Sequence, residues 1–379
     1  MRMRDFFNAQ RVFYIFVSLA MIGIIIFGVY ANSQNQQHSE SVSFVSGRVV
    51  EIVEDRTAIN HVGVRTGTQE LRVRLLSGAR RGDIIEARNM LFPIENAVYA
   101  QVGQRVILFF EQHPNAELDD YFAHVQSDDR TWSIYVIIAA FFGLLALVFG
   151  RTGIKSAFSL VFTFVVIIFL LLPLIVGGAS PALLTILLSL CIVVVSLIAI
   201  MGFGKKTYVS IAGTCIGIVF YGIFYLLISV ALGITGFNVQ EIDLLIVAGF
   251  NASVGELLFC AILIASLGAL MDVAVSLASV TAELSETTKN ASFKTLYTSA
   301  MKIGRDIIGS SSNTLILAFT GTFFITLIVF NINNLPYNVL INRVDIGIEV
   351  MRAISASSAM VLCAPATAFI GSRAFAYKK

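Results

Sequence analysis

Polar side chains recur on one face of an otherwise apolar stretch near residue 270. Ala261, Ala265, Gly268, Asp272, Ser276, Ser279 and Glu283 are spaced 4, 3, 4, 4, 3 and 4 apart. At about 100° per residue this spacing predicts one stripe along a helix, small at one end and polar at the other. Carboxylates and hydroxyls in a row suit cation or proton movement. An ionisable residue inside an apolar span is costly, normally faces protein or water, and marks a functional site by default. The competing reading gives Asp272 a structural role, satisfying a neighbouring helix end or a basic residue. Asp306, Ser310 and Asn313 follow at i, i+4 and i+7. The candidate polar path is thus Asp272, Ser276, Ser279, Glu283, Asp306, Ser310 and Asn313. Glu256, Glu349 and Arg352 form an outer group, with Glu349 and Arg352 as an i, i+3 pair. Both glutamates can approach Arg352, as a structural ion pair or as a gate.

Other chemistries lack their residues. All four histidines, His38, His61, His113 and His124, lie between residues 31 and 130, scattered and with no cysteine nearby. Metal ligands come in closer, patterned spacing, so no metal site is expected. Glu117, Asp119, Asp120, Asp128 and Asp129 lack the glycine and alternating ligands of a calcium loop and read as a solvated connector. No HExxH, GxSxG or P-loop pattern occurs, which disfavours a metalloprotease, a serine hydrolase and a nucleotide-driven pump. No cofactor is implied. An enzyme acting on lipid-linked substrates ranks last, because no nucleophile–base pair is visible.

The elements that must position these residues follow from composition. Of 379 residues 57% are hydrophobic and 13% charged, against about a quarter charged in a soluble chain. Residues 31–130 carry 24 charges, and the other 279 residues only 26. This is a soluble-type domain set into a membrane protein, which excludes a cytosolic enzyme, a disulfide scaffold and an obvious nucleic-acid binder. A span needs about 20 apolar residues. Eight stretches qualify: Val12–Tyr30, Trp132–Phe149, Ala157–Val176, Pro181–Met201, Val209–Leu232, Leu257–Ala278, Asn313–Ile332 and Ile346–Ala368. Lys and Arg concentrate in alternate loops, which places both termini in the cytoplasm and residues 31–130 outside. The first span also resembles a signal peptide ending at Val29-Tyr30-Ala31; its length favours an uncleaved anchor. Residues 291–309 alternate apolar and charged positions at helical spacing, an amphipathic helix at the cytoplasmic interface. Pro173 and Pro365 can either expose backbone carbonyls or do no more than bend their spans.

The chain thus divides into residues 1–31 (cytoplasmic start and first span), 32–129 (an extracytoplasmic β domain) and 130–379 (seven further helices). In the β domain Val42 to Val53, Leu71 to Leu75, Asp83 to Arg88 and Gln104 to Phe110 read as strands. Four to six short strands without helical period point to a small OB-like barrel, serving as a folded docking module or binding ligand on one face. Cys191, Cys215, Cys260 and Cys363 all fall in predicted spans and read as packing residues.

The membrane part resembles the YibE/F family of bacterial polytopic membrane proteins. The likeness rests on Gly268-Ala269-Leu270-Met271-Asp272-Val273-Ala274, on Ala282-Glu283-Leu284 and on Met301 to Gly309. It continues through Asn313 to Phe319 and the terminal segment Glu349 to Gly371. It covers roughly residues 130–375 and departs at Gly309-Ser310-Ser311-Ser312, where the family pattern reads Gly-Thr-Met. The preceding span and β domain resemble the longer, YibE-type members. The resemblance implies a bacterial plasma-membrane protein with no established activity, and a shorter YibF-type protein as partner. A second copy of the chain is the other partner considered, with the lipid bilayer as its surroundings and no nucleic acid. Two functions compete: a transporter or export component with a polar path near Asp272, and a non-transporting scaffold or receptor acting through the β domain.

Overall fold

The computed structural model describes residues 3–36, 42–61, 63–92, 99–112, 121–234, 245, 247, 249–250, 253–288 and 291–376. His38, His113, Glu117, Asp119 and Asp120 lie outside them, as does most of the loop at 235–252. Two compact units emerge, one of residues 1–30 with 149–379 and one of residues 31–148.

In the second unit, five strands close a barrel: β1 (Val42–Ile59), β2 (Arg65–Leu75), β3 (Ile84–Leu91), β4 (Arg105–Gln112) and β5 (Tyr121–Asp128). Their order is β1-β2-β3-β5-β4, all neighbours antiparallel except β3 and β5. Register shifts after Val49 and Ile52 let β1 bend, so that one strand pairs with both β2 and β4. Alternation buries Val45, Val49, Leu71, Val73, Ile85, Ala87, Val106 and Leu108. Two inward positions are polar. Gln69 and Asn89 are fully buried, and Gln69 Oε1 accepts from Asn89 Nδ2 at 2.8 Å and from the Ala100 amide at 3.0 Å. Asp128, the last residue of β5, and Asp129 just after it, expected in a solvated connector, instead fasten the barrel. Gln104 Nε2 donates to Asp128 at 2.5 Å, and Ser46 Oγ donates to Asp129 at 2.8 Å. A 19-residue apolar helix, α2 (Thr131–Phe149), follows.

The other unit is helical. It comprises α1 (Met3–Gln36), α3 (Arg151–Val176), α4 (Pro181–Met201), α5 (Lys205–Leu232), α6 (Val254–Thr287) and α7 (Phe293–Thr322). Two short helices, α8 (Phe324–Ile332) and α9 (Tyr337–Ile341), precede the last, α10 (Val344–Phe375). With α2, seven helices are long and apolar enough to cross a membrane, and α7 with α8 adds an eighth if that bent pair is one span. The bend is 54°. It falls at Phe323, just after Thr320, Gly321 and Thr322, where a glycine and two threonine hydroxyls bonded to carbonyls of the preceding turn weaken the helix. Pro173, which lacks an amide proton, sits just after a π-turn at Ile167–Leu171 in α3. Pro365 lies inside α10 without ending it.

Small residues let the central helices approach closely, as in other membrane bundles. Gly213 of α5 lies against Thr367 of α10, Gly217 against Cys363 and Leu270, and Gly371 of α10 against Thr281. Cys363 is fully buried in this seam and donates to the Gly213 carbonyl at 3.4 Å. Tyr221 and Tyr225 tie α5 to α6, donating to the Phe259 carbonyl at 2.9 Å and the Gly255 carbonyl at 2.7 Å. Tyr14 of α1 donates to the Ala199 carbonyl of α4 at 2.6 Å.

Candidate functional site

The polar stripe lies on α6, and the packing of that helix fixes which way it faces. Ile262, Leu263, Leu267, Leu270, Val273, Ala274 and Leu277 are buried in the bundle core. Ala261, Ala265, Gly268, Asp272 and Glu283 fall on the opposite side and are exposed, while Ser276 and Ser279 are half-buried. A Cβ added at Gly268 would meet nothing within 4 Å. The stripe therefore runs along the outside of this chain, not through its interior. Asp272 stands 18 residues into a 34-residue helix, about 27 Å from its first residue. Among the described residues it has no hydrogen-bond or ion-pair partner.

The second polar row lies on α7. Ser292 caps this helix by accepting from the Thr295 amide at 3.2 Å. Instead of ending near residue 309, the amphipathic segment continues unbroken to Thr322. Its small and apolar face packs on the bundle: Leu296, Ala300 and Gly304 are buried, with Gly304 against Leu277 of α6 and Phe293 edge-on to Phe369 of α10 at 5.3 Å. Asp306, Ser310 and Asn313 are left on the exposed side. Of the two cavities described, neither is lined by Asp272, Asp306 or Asn313.

The outer group separates into two devices. Arg352 Nη1 donates to Glu349 Oε1 at 2.7 Å within α10. Glu256 is engaged elsewhere: it accepts from Ser180 Oγ at 3.1 Å and from the Ala182 amide at 3.2 Å. Its negative charge thus sits at the amino end of α4, where orphan amides and the helix dipole favour an anion. Glu256 also borders a cavity of about 480 Å³ with Ser180, Ser253 and Phe250.

The polar groups that do enter the bundle went unread in the sequence. Thr185, Ser189 and Ser196 of α4 are at most 2% exposed, as are Ser355 and Ser372 of α10. The signal for the first three was present, since spacings of 4 and 7 share a helical face. Small hydroxyl residues are common between membrane helices because they let backbones approach closely, and here the Ser196, Ser355 and Ser372 hydroxyls have no hydrogen-bond partner among the described residues.

On the barrel, His61 is exposed and His124 is half-buried in an aromatic row. Among the described residues no three of His, Cys, Asp and Glu converge as metal ligands. Of the cysteines, Cys260 and Cys363 are buried, Cys215 is half-buried and Cys191 is exposed.

No curated protein and no solved structure matches the chain. One protein family does match, over residues 137–377, a stretch that holds α6, α7, α10 and both polar rows. With that match covering well over half its length, the chain belongs to the YibE/F-like protein family.

Proposed function

We propose that this protein is a multi-pass component of a transport or export system in the bacterial plasma membrane. Its polar path forms where the α6 stripe meets another chain. In this reading α7 and α8 together make the eighth span, both termini are cytoplasmic, and the barrel lies outside. The alternation of Lys and Arg between loops supports that orientation, and the strand order with its single parallel pair supports an OB-like barrel.

One observation carries the proposal: Asp272 lies deep in an apolar helix and on its exposed side. A carboxylate at that depth is costly against hydrocarbon and is normally met by protein or water. Ala261, Ala265 and Gly268 allow a second helix to approach the same face closely. That helix belongs to a second copy of the chain or to a YibF-type partner, and the hydroxyl-lined groove between them holds the path. Asp272→Asn tests this. The expected result is a protein that accumulates normally but loses flux, and with it complementation of the deletion strain. Full complementation by the variant at matched levels would sink the transport reading.

The receptor reading keeps one observation of its own, an exposed row of aromatic side chains on the barrel. Under it, removing residues 40–125 abolishes function while Asp272→Asn disturbs folding alone.

A further inference from the structure

One cross-strand row runs around the outside of the barrel. Register pairs join Phe44 of β1 to Phe109 of β4, Phe109 to His124 of β5, His124 to Arg88 of β3, and Arg88 to Glu70 of β2. Half of this row is aromatic. Phe44 meets Phe109 edge-on at 5.7 Å, Phe109 stacks on His124 at 4.7 Å, and Phe122 flanks His124 at 5.5 Å. Phe44 is 63% exposed and Phe122 47%. Large apolar side chains clustered on a water-facing module mark an interaction site.

The other half of the row borders a cleft. Between β3 and β5 the barrel is closed by the single register pair Arg88–His124, and a cavity of about 240 Å³ opens there. Its floor is the buried side chains of Leu71, Ala87 and Ala123, and its rim is Glu70, Glu86, Arg88 and Phe122. Tyr121 holds one wall in place, its hydroxyl accepting from the Glu86 amide at 3.0 Å. Arg88 and Glu70 approach only to 3.9 Å and are both about half exposed. Such a surface pair contributes little to stability and leaves both groups free to turn to a ligand.

We propose that this surface binds an oligosaccharide. One sugar ring sits in the cleft against Glu70, Glu86 and Arg88, and the chain continues over Phe122 toward Phe109 and Phe44. The volume is below the roughly 300–1,000 Å³ of sites for drug-sized ligands and suits one ring of a longer chain. A pyranose offers an apolar face to aromatic rings and hydroxyls at its edge to carboxylates and guanidinium. The mixed charge of the rim selects a neutral ligand. Two carboxylates beside one arginine repel a phosphate backbone, which is held by clustered basic groups, and an anionic bilayer for the same reason. Rings that face solvent across several strands suit a ligand lying across the barrel. OB barrels usually take oligosaccharides and oligonucleotides on the face of strands 2 and 3, whereas this aromatic row runs over β1, β4 and β5.

This proposal rests on the barrel being a recognition module and is independent of the path at Asp272. The test uses the full-length protein in lipid nanodiscs free of glycoside detergent, titrated calorimetrically with cello- and chito-oligosaccharides. Oligothymidylate and an unstructured peptide are the rival probes. Saturable binding of a sugar is expected, weakened about fivefold by Phe122→Ala, weakened also by Arg88→Ala, and unchanged by Asp272→Asn. Both altered side chains are exposed, so the barrel melts at the wild-type temperature. Absence of saturable sugar binding overturns the proposal, as does binding that neither Phe122→Ala nor Arg88→Ala reduces. Preference for the peptide or for oligothymidylate overturns the ligand class while retaining the module as a binding surface.

Discussion

The carboxylate of Glu256 accepts a hydrogen bond from the backbone amide of Ala182 at 3.2 Å, so the start of α6 caps the start of α4. Ser180 Oγ adds a second bond to the same oxygen at 3.1 Å. Removing a capping side chain costs about 1 kcal/mol, and the charge at a helix amino terminus adds a few tenths more. Glu256→Ala is therefore expected to lower the melting temperature of the nanodisc-embedded protein, and Glu256→Gln to lower it less. Equal melting of wild type and Glu256→Ala would remove the capping role.

Gly213 and Thr367 set the spacing of α5 and α10. A Cβ at position 213 would overlap the Thr367 hydroxyl and crowd its Cβ. That hydroxyl is itself held by the Cys363 carbonyl at 2.8 Å in a fully buried seam. Overpacking of this kind costs about 1–3 kcal/mol. Gly213→Ala should destabilise the bundle, and Thr367→Ala should restore part of the loss in the double variant. Additive losses would show that the two positions are not in contact.

Acid should weaken the barrel through its aspartates. Hydrogen bonds from Thr131 and Ser46 hold the Asp129 carboxyl below the usual carboxylate range. Thr57 and Tyr99 do the same for Asp55. A pKa lowered in the folded state stabilises the fold above the ordinary carboxylate value, and the contribution vanishes as pH falls through the lowered one. Asp129→Asn should therefore melt below wild type at neutral pH and converge with it below about pH 4. A constant difference across that range would contradict the assignment.

How much of this was legible in the sequence depended on what each signal measures. Alternation in Leu71-Arg72-Val73-Arg74-Leu75 gave both a strand and its buried face, because period two is a local property. The strand at Tyr121–Asp128 was lost among acidic residues: Asp128 and Asp129 read as solvated, yet they bond Gln104, just before β4, and Ser46 of β1. Gln69 and Asn89 occupy inward positions as a pair, so each looks misplaced until its partner across the ladder is known. Spacing placed the α6 stripe on one face correctly. It could not say whether that face looks inward or outward, because burial depends on which side α5 and α10 pack against. Glu256 was legible as a polar residue at a span end, but its partner is a backbone amide 74 positions earlier, which carries no side-chain signature.

The central claim is that the exposed stripe of α6 borders water, not lipid, in the assembled protein. Single cysteines at Asp272, Ser276 and Ser279, in a chain whose four native cysteines are replaced, can be probed in membranes with a small charged thiol reagent. Leu187 of α4, 54% exposed on an apolar face, supplies the lipid-facing control. The account predicts modification at all three stripe positions and none at Leu187→Cys. Stripe positions as unreactive as Leu187→Cys, beside a reactive Glu283→Cys, would contradict it.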